Sequence, residues 1–192
     1  MSEQRCGWVG DLPLMVDYHD TEWGVPVHED QKLFELMVLE AMQAGLSWQI
    51  VLNKRRNFEE ALDGFDIARI AKYSDKKLER LVGNTGIIRN RQKLAATVIN
   101  AQASLVVQKE FGSLDAYLWQ FVDGQPKRNA WTKDSQIPAT NAEAQVMSKE
   151  LKSLGFKFVG PTICYAFMQA AGLVNDHRVD CFRYKQLTSS SH

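Results

Sequence analysis

The sequence predicts an all-α protein, a single domain over residues 1–187 with two helical lobes and a flexible tail at 188–192. Three observations carry this. Apolar residues recur at helical spacing in most segments, no stretch shows the two-residue alternation of a strand, and a glycine-bounded turn joins two late helices as a hairpin. Composition agrees: 192 residues can bury a core, and 45% hydrophobic with 24% charged residues is ordinary for a globular chain. No apolar run is long enough to span a bilayer, so no membrane partner is expected. Met1-Ser2-Glu3-Gln4-Arg5 is polar and is followed by no apolar stretch, which argues against a secretory signal and for a cytoplasmic or nucleoid-associated protein. Three cysteines, an odd number, argue against a disulfide framework, and Cys164 inside an apolar helical run reads as a buried thiol.

The first helix read from periodicity covers residues 31–43, with Leu33, Phe34, Met37, Val38 and Ala41 on one face, a start after Glu29-Asp30 and a stop at Gly45. Further helices are expected at 74–82 ending at Gly83, at 90–110 ending at Gly112, and at 113–122. From 123 to 140, Gly124, Pro126 and Pro138 lie among polar residues, which reads as a long connection. A helix capped by Thr140 or Asn141 then runs to Leu154, Gly155-Phe156-Lys157-Phe158-Val159-Gly160 turns the chain, and Pro161 opens a helix ending near Gly172. This is a helix-hairpin-helix over about 141–172. Its glycines allow a sharp turn, and the free amides at the second helix's start favour a phosphate without reading sequence. Gly155, Lys157, Val159, Gly160 and Thr162 are the candidate DNA-contacting residues. A plain helical hairpin packed in the core is the competing reading.

Two cysteine/histidine pairs sit near opposite ends, Cys6 with His19 and His177 with Cys181. If 177–181 is helical, its i, i+4 spacing puts both side chains on one face. Two thiolates and two imidazoles would neutralise one Zn²⁺ and fill its four positions, leaving none for a reactive water, so the metal would be structural and would join the terminal segments. The alternative is that short Cys and His residues fill a core, since the spacing matches no standard finger.

Trp8, Tyr18, Trp23 and Trp48 crowd the N-terminal segment around the helix bearing Glu40. Aromatic faces stack on flipped bases, and a carboxylate among them can accept from an adenine-like amino group or favour a cation. A tryptophan stripe also suits a core, but Val38-Leu39-Glu40-Ala41-Met42 carries an acid into apolar surroundings, where it is rarely left unpartnered. A formal net charge of zero neither supports nor excludes a nucleic-acid partner. The basic runs Lys54-Arg55-Arg56 and Arg89-Asn90-Arg91-Gln92-Lys93 are each as well explained by a solvated helix face.

These segments together resemble the bacterial 3-methyladenine DNA glycosylase I family, the zinc-containing branch of the helix-hairpin-helix glycosylases. The resemblance is carried by Arg5-Cys6-Gly7-Trp8, Tyr18-His19-Asp20, Glu22-Trp23-Gly24-Val25-Pro26, Leu39-Glu40 and Gln43-Ala44-Gly45-Leu46-Ser47-Trp48. Gly86-Ile87-Ile88-Arg89, the hairpin turn and Val174-Asn175-Asp176-His177 complete it in the family's order over nearly the whole chain. It implies that Cys6, His19, His177 and Cys181 hold one structural Zn²⁺, that Glu40 contacts the methylated adenine, and that Tyr18 and Trp48, with Trp8 and Trp23 close by, form the pocket. It implies alkylated double-stranded DNA as partner and released 3-methyladenine as product; because the methylated base is cationic and leaves neutral, no lysine nucleophile is required and a monofunctional glycosylase is expected, with a monomer as the default. Leu46 becomes a candidate wedge for the gap left by the flipped nucleotide, with a core role as its alternative. Two departures stand out. Related glycosylases carry an aspartate where this chain has Asn175, so Asp176 is not made catalytic base by adjacency, and Met15 replaces a tyrosine of some members at one pocket wall. The competing class is a zinc-stabilised helix-hairpin-helix module that binds damaged DNA without excising a base.

Overall fold

Side-chain caps set where several helices begin. Asp66, Ser74, Asn90, Ser113 and Asn141 each accept a backbone N–H from the first turn that follows, a contact worth about 1 kcal/mol. The computed structural model describes residues 4–189. Among these, the helices are α1 (Pro13–Thr21), α2 (Asp30–Gln43), α3 (Trp48–Ala61), α4 (Ile67–Ile70), α5 (Asp75–Gly83), α6 (Arg91–Phe111) and α7 (Leu114–Trp119), followed after a long connection by α8 (Ala142–Ser153), α9 (Pro161–Ala170) and α10 (Phe182–Ser189). All six helices expected from periodicity are present, with α7 passing into a short 3₁₀ turn at Gln120–Val122. The connection holds the one departure from all-helix structure: β1 (Lys127–Arg128) pairs in parallel with β2 (Val174–Asn175). Two residues are too few for alternation to register in a sequence. No described helix is long and apolar enough to cross a membrane.

Helix α2 is the axle. Leu33 and Phe34 and every residue from Leu36 to Met42 are buried, because α3, α6, α7 and α9 all pack around the helix. Its first residue, Asp30, also starts another helix: the carboxylate accepts the N–H groups of Leu114 and Asp115 at 2.9 Å and the Gln108 amide at 2.6 Å. One apolar core extends from Leu33 to Val174. A second, smaller cluster of Cys6, Val9, Met15, Tyr18, Trp23, Leu52 and Cys181 gathers the two ends of the chain.

The hairpin forms between α8 and α9, with a correction to its turn chemistry. Gly155 has φ +91°, as a glycine turn requires, but Gly160 has φ −64° and a Cβ there would meet open space. The second left-handed residue is Phe158, φ +54°. It is held because Asn100 of α6 grips Lys157 next to it through two hydrogen bonds. The turn also places the Val159 side chain in the core and its carbonyl against Ser148 Oγ and Cys164 Sγ, both of which donate to it. Residues 177–181 are not helical; they form a turn ahead of α10. Helix α10 continues through Ser189, so residues 188–189 close a helix, while the remainder of the expected tail, 190–192, and the polar start at 1–3 lie outside the described residues.

Gly172 marks a close approach of two backbone segments. It has φ +72°, and a Cβ would sit 2.4 Å from Pro26 N and the Val25 carbonyl carbon, where residues 24–27 dock on the end of α9 through Gly24 N–H to Gln169 O and Val27 N–H to Ala171 O. Gly172→Ala adds backbone strain to overpacking and is expected to cost roughly 2–5 kcal/mol, measured as a lowered urea midpoint; a loss below about 1 kcal/mol would show that the segment can move away.

Candidate active site and metal centre

Cys6, His19, His177 and Cys181 are all buried, and their ligand atoms lie within 4.8 Å of one another. They arrive from a loop, the end of α1 and the turn before α10, so the expected convergence holds without the expected helix. Cys181 Sγ stands 3.5 Å from both His19 Nε2 and His177 Nδ1, and Cys6 Sγ stands 3.6 Å from His177 Nδ1. The outward nitrogens are occupied: His19 Nδ1 meets Asp20 Oδ1 at 2.7 Å and His177 Nε2 donates to Trp23 O at 2.9 Å. Both inward nitrogens therefore turn lone pairs toward the sulfurs, the arrangement by which outer partners orient metal-binding imidazoles. Asp20 is fixed in turn by Arg5, whose guanidinium reaches it at 2.6–3.0 Å and holds its carboxyl below the usual range against the opposing effect of burial. The hydrogen bond from Cys6 holds the Cys181 thiol strongly toward its thiolate, while the same contact and burial push Cys6 up. Two buried sulfurs drawn together beside two imidazoles are the donors that a dication would hold apart and neutralise. The donor set fits a metal ion.

The aromatic pocket leans directly on this cluster. Trp23 stands edge-to-face to the His177 ring at 4.6 Å between centroids, and Trp8 to Trp23 at 4.9 Å and to His19 at 5.5 Å. Tyr18 and Trp48 complete the wall, 5.2 Å apart. The cavity measures about 320 Å³ and is lined by Trp8, Tyr18, Trp23, Glu40, Gln43, Trp48, Asp134, Ile137, Ala166 and Gln169. All five pocket residues expected from the sequence thus share one space.

Glu40 is 4% exposed, and burial alone pushes its carboxyl up to about 8. The same enclosure, with Glu40 close by, drives the Tyr18 phenol well above its ordinary value. Six buried side-chain atoms have no hydrogen-bond partner among the described residues, and three of them, Trp8 Nε1, Trp48 Nε1 and Glu40 Oε2, face this pocket's residues. Two donors and an acceptor without partners thus belong to residues that line one largely aromatic cavity, a composition that suits a flat heteroaromatic ring with polar edges.

A second cavity of about 250 Å³ shares Glu40, Gln43 and Ala166 with the first and is also lined by Leu46 and Thr162. Leu46 is 39% exposed at the tip of the α2–α3 turn, so the core alternative fails. Lys157 and Thr162 are exposed on the same hairpin whose turn contains Gly155, Val159 and Gly160. These hairpin residues, Thr162 excepted, lie outside both cavities.

Asp176 is no free base. Its carboxylate accepts Asn129 Nδ2 at 2.6 Å, Trp131 Nε1 at 2.7 Å, Tyr165 Oη at 2.5 Å and Gln169 Nε2 at 2.8 Å, which makes it the hub that ties the long connection to α9. Asn175 is buried and pairs its backbone in β2, outside the pocket. Met15 packs in the small core cluster and does not line the cavity, so its substitution leaves the pocket wall to others. The basic runs divide: Arg56, Arg89 and Arg91 are exposed, Lys54 and Arg55 half-buried and Lys93 buried. Arg55 forms ion pairs with Glu22 and Glu35, Arg56 with Glu60 and Arg91 with Glu79, while Lys93 points inward. Sequence reasoning missed Gln43, Asp134, Ile137, Ala166 and Gln169. Only Gln43 left a signal, three residues after Glu40 on one helix face; the others depend on where the connection and α9 fall in space.

Residues 8–184 match the methyladenine glycosylase family. DNA-3-methyladenine glycosylase 1 of Escherichia coli K12 is 48% identical over 181 residues, 94% of this chain and 97% of that protein. A crystal structure of a 3-methyladenine DNA glycosylase I superposes with a TM-score of 0.91 at 49% identity, covering 93% of this chain and 98% of the other. The Staphylococcus aureus 3-methyladenine DNA glycosylase I, solved for the structural basis of its recognition of 3-methyladenine, gives 0.91 at 35% identity, covering 95% and 97%. With the pocket, the hairpin and the four-ligand cluster all in place along this length, the chain belongs to the methyladenine glycosylase family.

Proposed function

We propose that this protein is a monofunctional base-excision enzyme that hydrolyses the N-glycosidic bond of 3-methyladenine in alkylated duplex DNA. The observation that carries the reading is Glu40, a buried carboxyl with one oxygen unpartnered on a residue that lines the aromatic pocket. Methylation at N3 gives adenine a positive charge and weakens its bond to C1′. On cleavage the bonding pair moves to N9 and the base departs neutral, so no acid need protonate it. Water then adds to C1′ and its proton passes to solvent.

The chain's own groups extrude, hold and select. A cationic base entering the pocket favours ionised Glu40 over the protonated form that burial imposes, and each charge compensates the other in a low dielectric. Neutral adenine offers no such compensation and is a poor leaving group besides. Tyr18 and Trp48 stack against the base, Trp8 and Trp23 close the wall, and the open indole N–H groups of Trp8 and Trp48 reach ring acceptors. Leu46 enters the duplex as a wedge, while Gly155, Lys157, Val159, Gly160 and Thr162 set the hairpin's turn and the α9 amino end against a backbone phosphate. Lys93, the one buried lysine among the described residues, has its ammonium bound to two carbonyls, and no described lysine lines either cavity to form a covalent intermediate. Bound by Cys6, His19, His177 and Cys181, Zn²⁺ would be fully coordinated and structural, joining the chain ends behind the pocket. The binding-module reading leaves the open polar groups of the pocket without a purpose.

The decisive assay is release of free base from methylated duplex DNA, resolved by chromatography. The parent is expected to liberate 3-methyladenine and Glu40→Gln to do so about tenfold more slowly or worse; a folded, metal-loaded parent that releases nothing would move the reading to the binding module. Stability should move the other way. Between pH 4.5 and 8 the unfolded chain ionises Glu40 and the folded chain keeps it protonated, so the folded state holds the extra proton and stability declines as pH rises through that window. Glu40→Gln is therefore expected to be more stable than the parent at pH 8, by roughly 2–4 kcal/mol, with the gap closing toward pH 4.5 in urea titrations. A parent at least as stable as the variant at pH 8 would mean that Glu40 has an interior partner. The parent is expected to carry one equivalent of zinc and Cys181→Ser to lose it and melt at lower temperature; full retention of metal would exclude Cys181 as a ligand. Leu46→Ala should bind abasic duplex more weakly, and equal binding would remove the wedge.

A further inference from the structure

Helix α6 lines neither cavity with any residue, yet it grips both of the turns assigned above to DNA. Lys93 and Asn100 are 6% and 3% exposed. Seven residues apart, they stand nearly one above the other on the helix, about 10 Å apart along its axis. Lys93 Nζ donates to Met42 O at 2.9 Å and Ala44 O at 2.6 Å, carbonyls left open where α2 ends, so its charge also meets the negative end of that helix. Between these carbonyls, Gln43 O accepts the Leu46 N–H at 2.6 Å. The turn that presents Leu46 is thus closed from beneath by Lys93. Asn100 does the same at the hairpin: its Nδ2 donates to Lys157 O at 2.9 Å and its Oδ1 accepts the Lys157 N–H at 2.7 Å.

A buried ammonium is costly where an apolar residue would fill the space, and no carboxylate within hydrogen-bonding distance of Lys93 is found among the described residues. Core packing alone does not account for the pair. We propose that Lys93 and Asn100 are positioning residues, and that α6 is a strut fixing the separation of the Leu46 turn from the hairpin turn so that both engage one duplex together. This rests on the reading of those turns as DNA contacts. It separates two properties: seating of the base in its pocket, whose lining includes no α6 residue, and engagement of the duplex, which depends on α6.

The test compares Lys93→Met and Asn100→Leu with the parent in affinity for duplex DNA carrying an abasic analogue, in kcat and KM on methylated duplex, and in affinity for free 3-methyladenine. Duplex affinity is expected to fall roughly 10- to 100-fold, the scale of a small misplacement, with the loss in KM, free-base affinity unchanged and partial recovery in Lys93→Arg. Should Lys93→Met fail to fold, Asn100→Asp, which deletes the donor to Lys157 and keeps the acceptor, carries the same comparison. Variants that bind abasic duplex as the parent does, or that lose duplex and free base in equal proportion, overturn the strut. A parent that releases no base would sink the glycosylase reading instead, and duplex against free-base binding would still decide the role of α6.

Discussion

The convergence of Cys6, His19, His177 and Cys181 is the constraint on which the site depends. The Trp8 and Trp23 rings lie edge-on to its imidazoles, and Trp23 supplies the carbonyl that fixes the His177 tautomer. An aromatic wall on short loops would ordinarily be mobile. Here it is braced by a cluster whose own outer contacts, through Asp20 to Arg5, are satisfied.

Against this rigid back wall, the polar chemistry of the interior divides into two kinds. Asp176, Lys93 and Asn100 are buried with their hydrogen-bonding capacity directed at named partners, and they hold segments in place. Glu40 is buried and Trp8 and Trp48 are half-buried, each with one buried polar atom that has no partner. The first kind organises the fold, and the second makes it unstable in a way that a ligand can relieve. The pocket is thus the place where the fold retains a cost for recognition.

Most of this was legible in the sequence where the signal was local. Capping residues Ser74, Asn90 and Asn141 marked helix starts to within a residue, and Leu33 to Met42 announced a core helix that carried one anomalous acid. The metal cluster was legible as composition at the two ends, although the turn at 177–181 replaced the helix that the spacing suggested. Long-range consequences were not legible. Asp134 and Ile137 enter the pocket because the connection after α7 is pinned by Asn129 and Trp131 to Asp176, and no periodicity records such a crossing. Phe158 shows the same limit: its left-handed backbone stands beside a grip supplied by α6, more than fifty residues earlier.

The span of the Cys6–His177 contact, 171 residues, also orders events in time. Chains emerge from the ribosome N-terminus first and domains settle as units, so α2 and α6 can pack while Trp8 and Trp23 still lack the imidazole that braces them. The pocket closes only when His177 and Cys181 arrive. A nascent chain therefore holds no finished base-binding cavity until its last segments are made, and a premature stop before residue 177 removes the imidazole that braces Trp23.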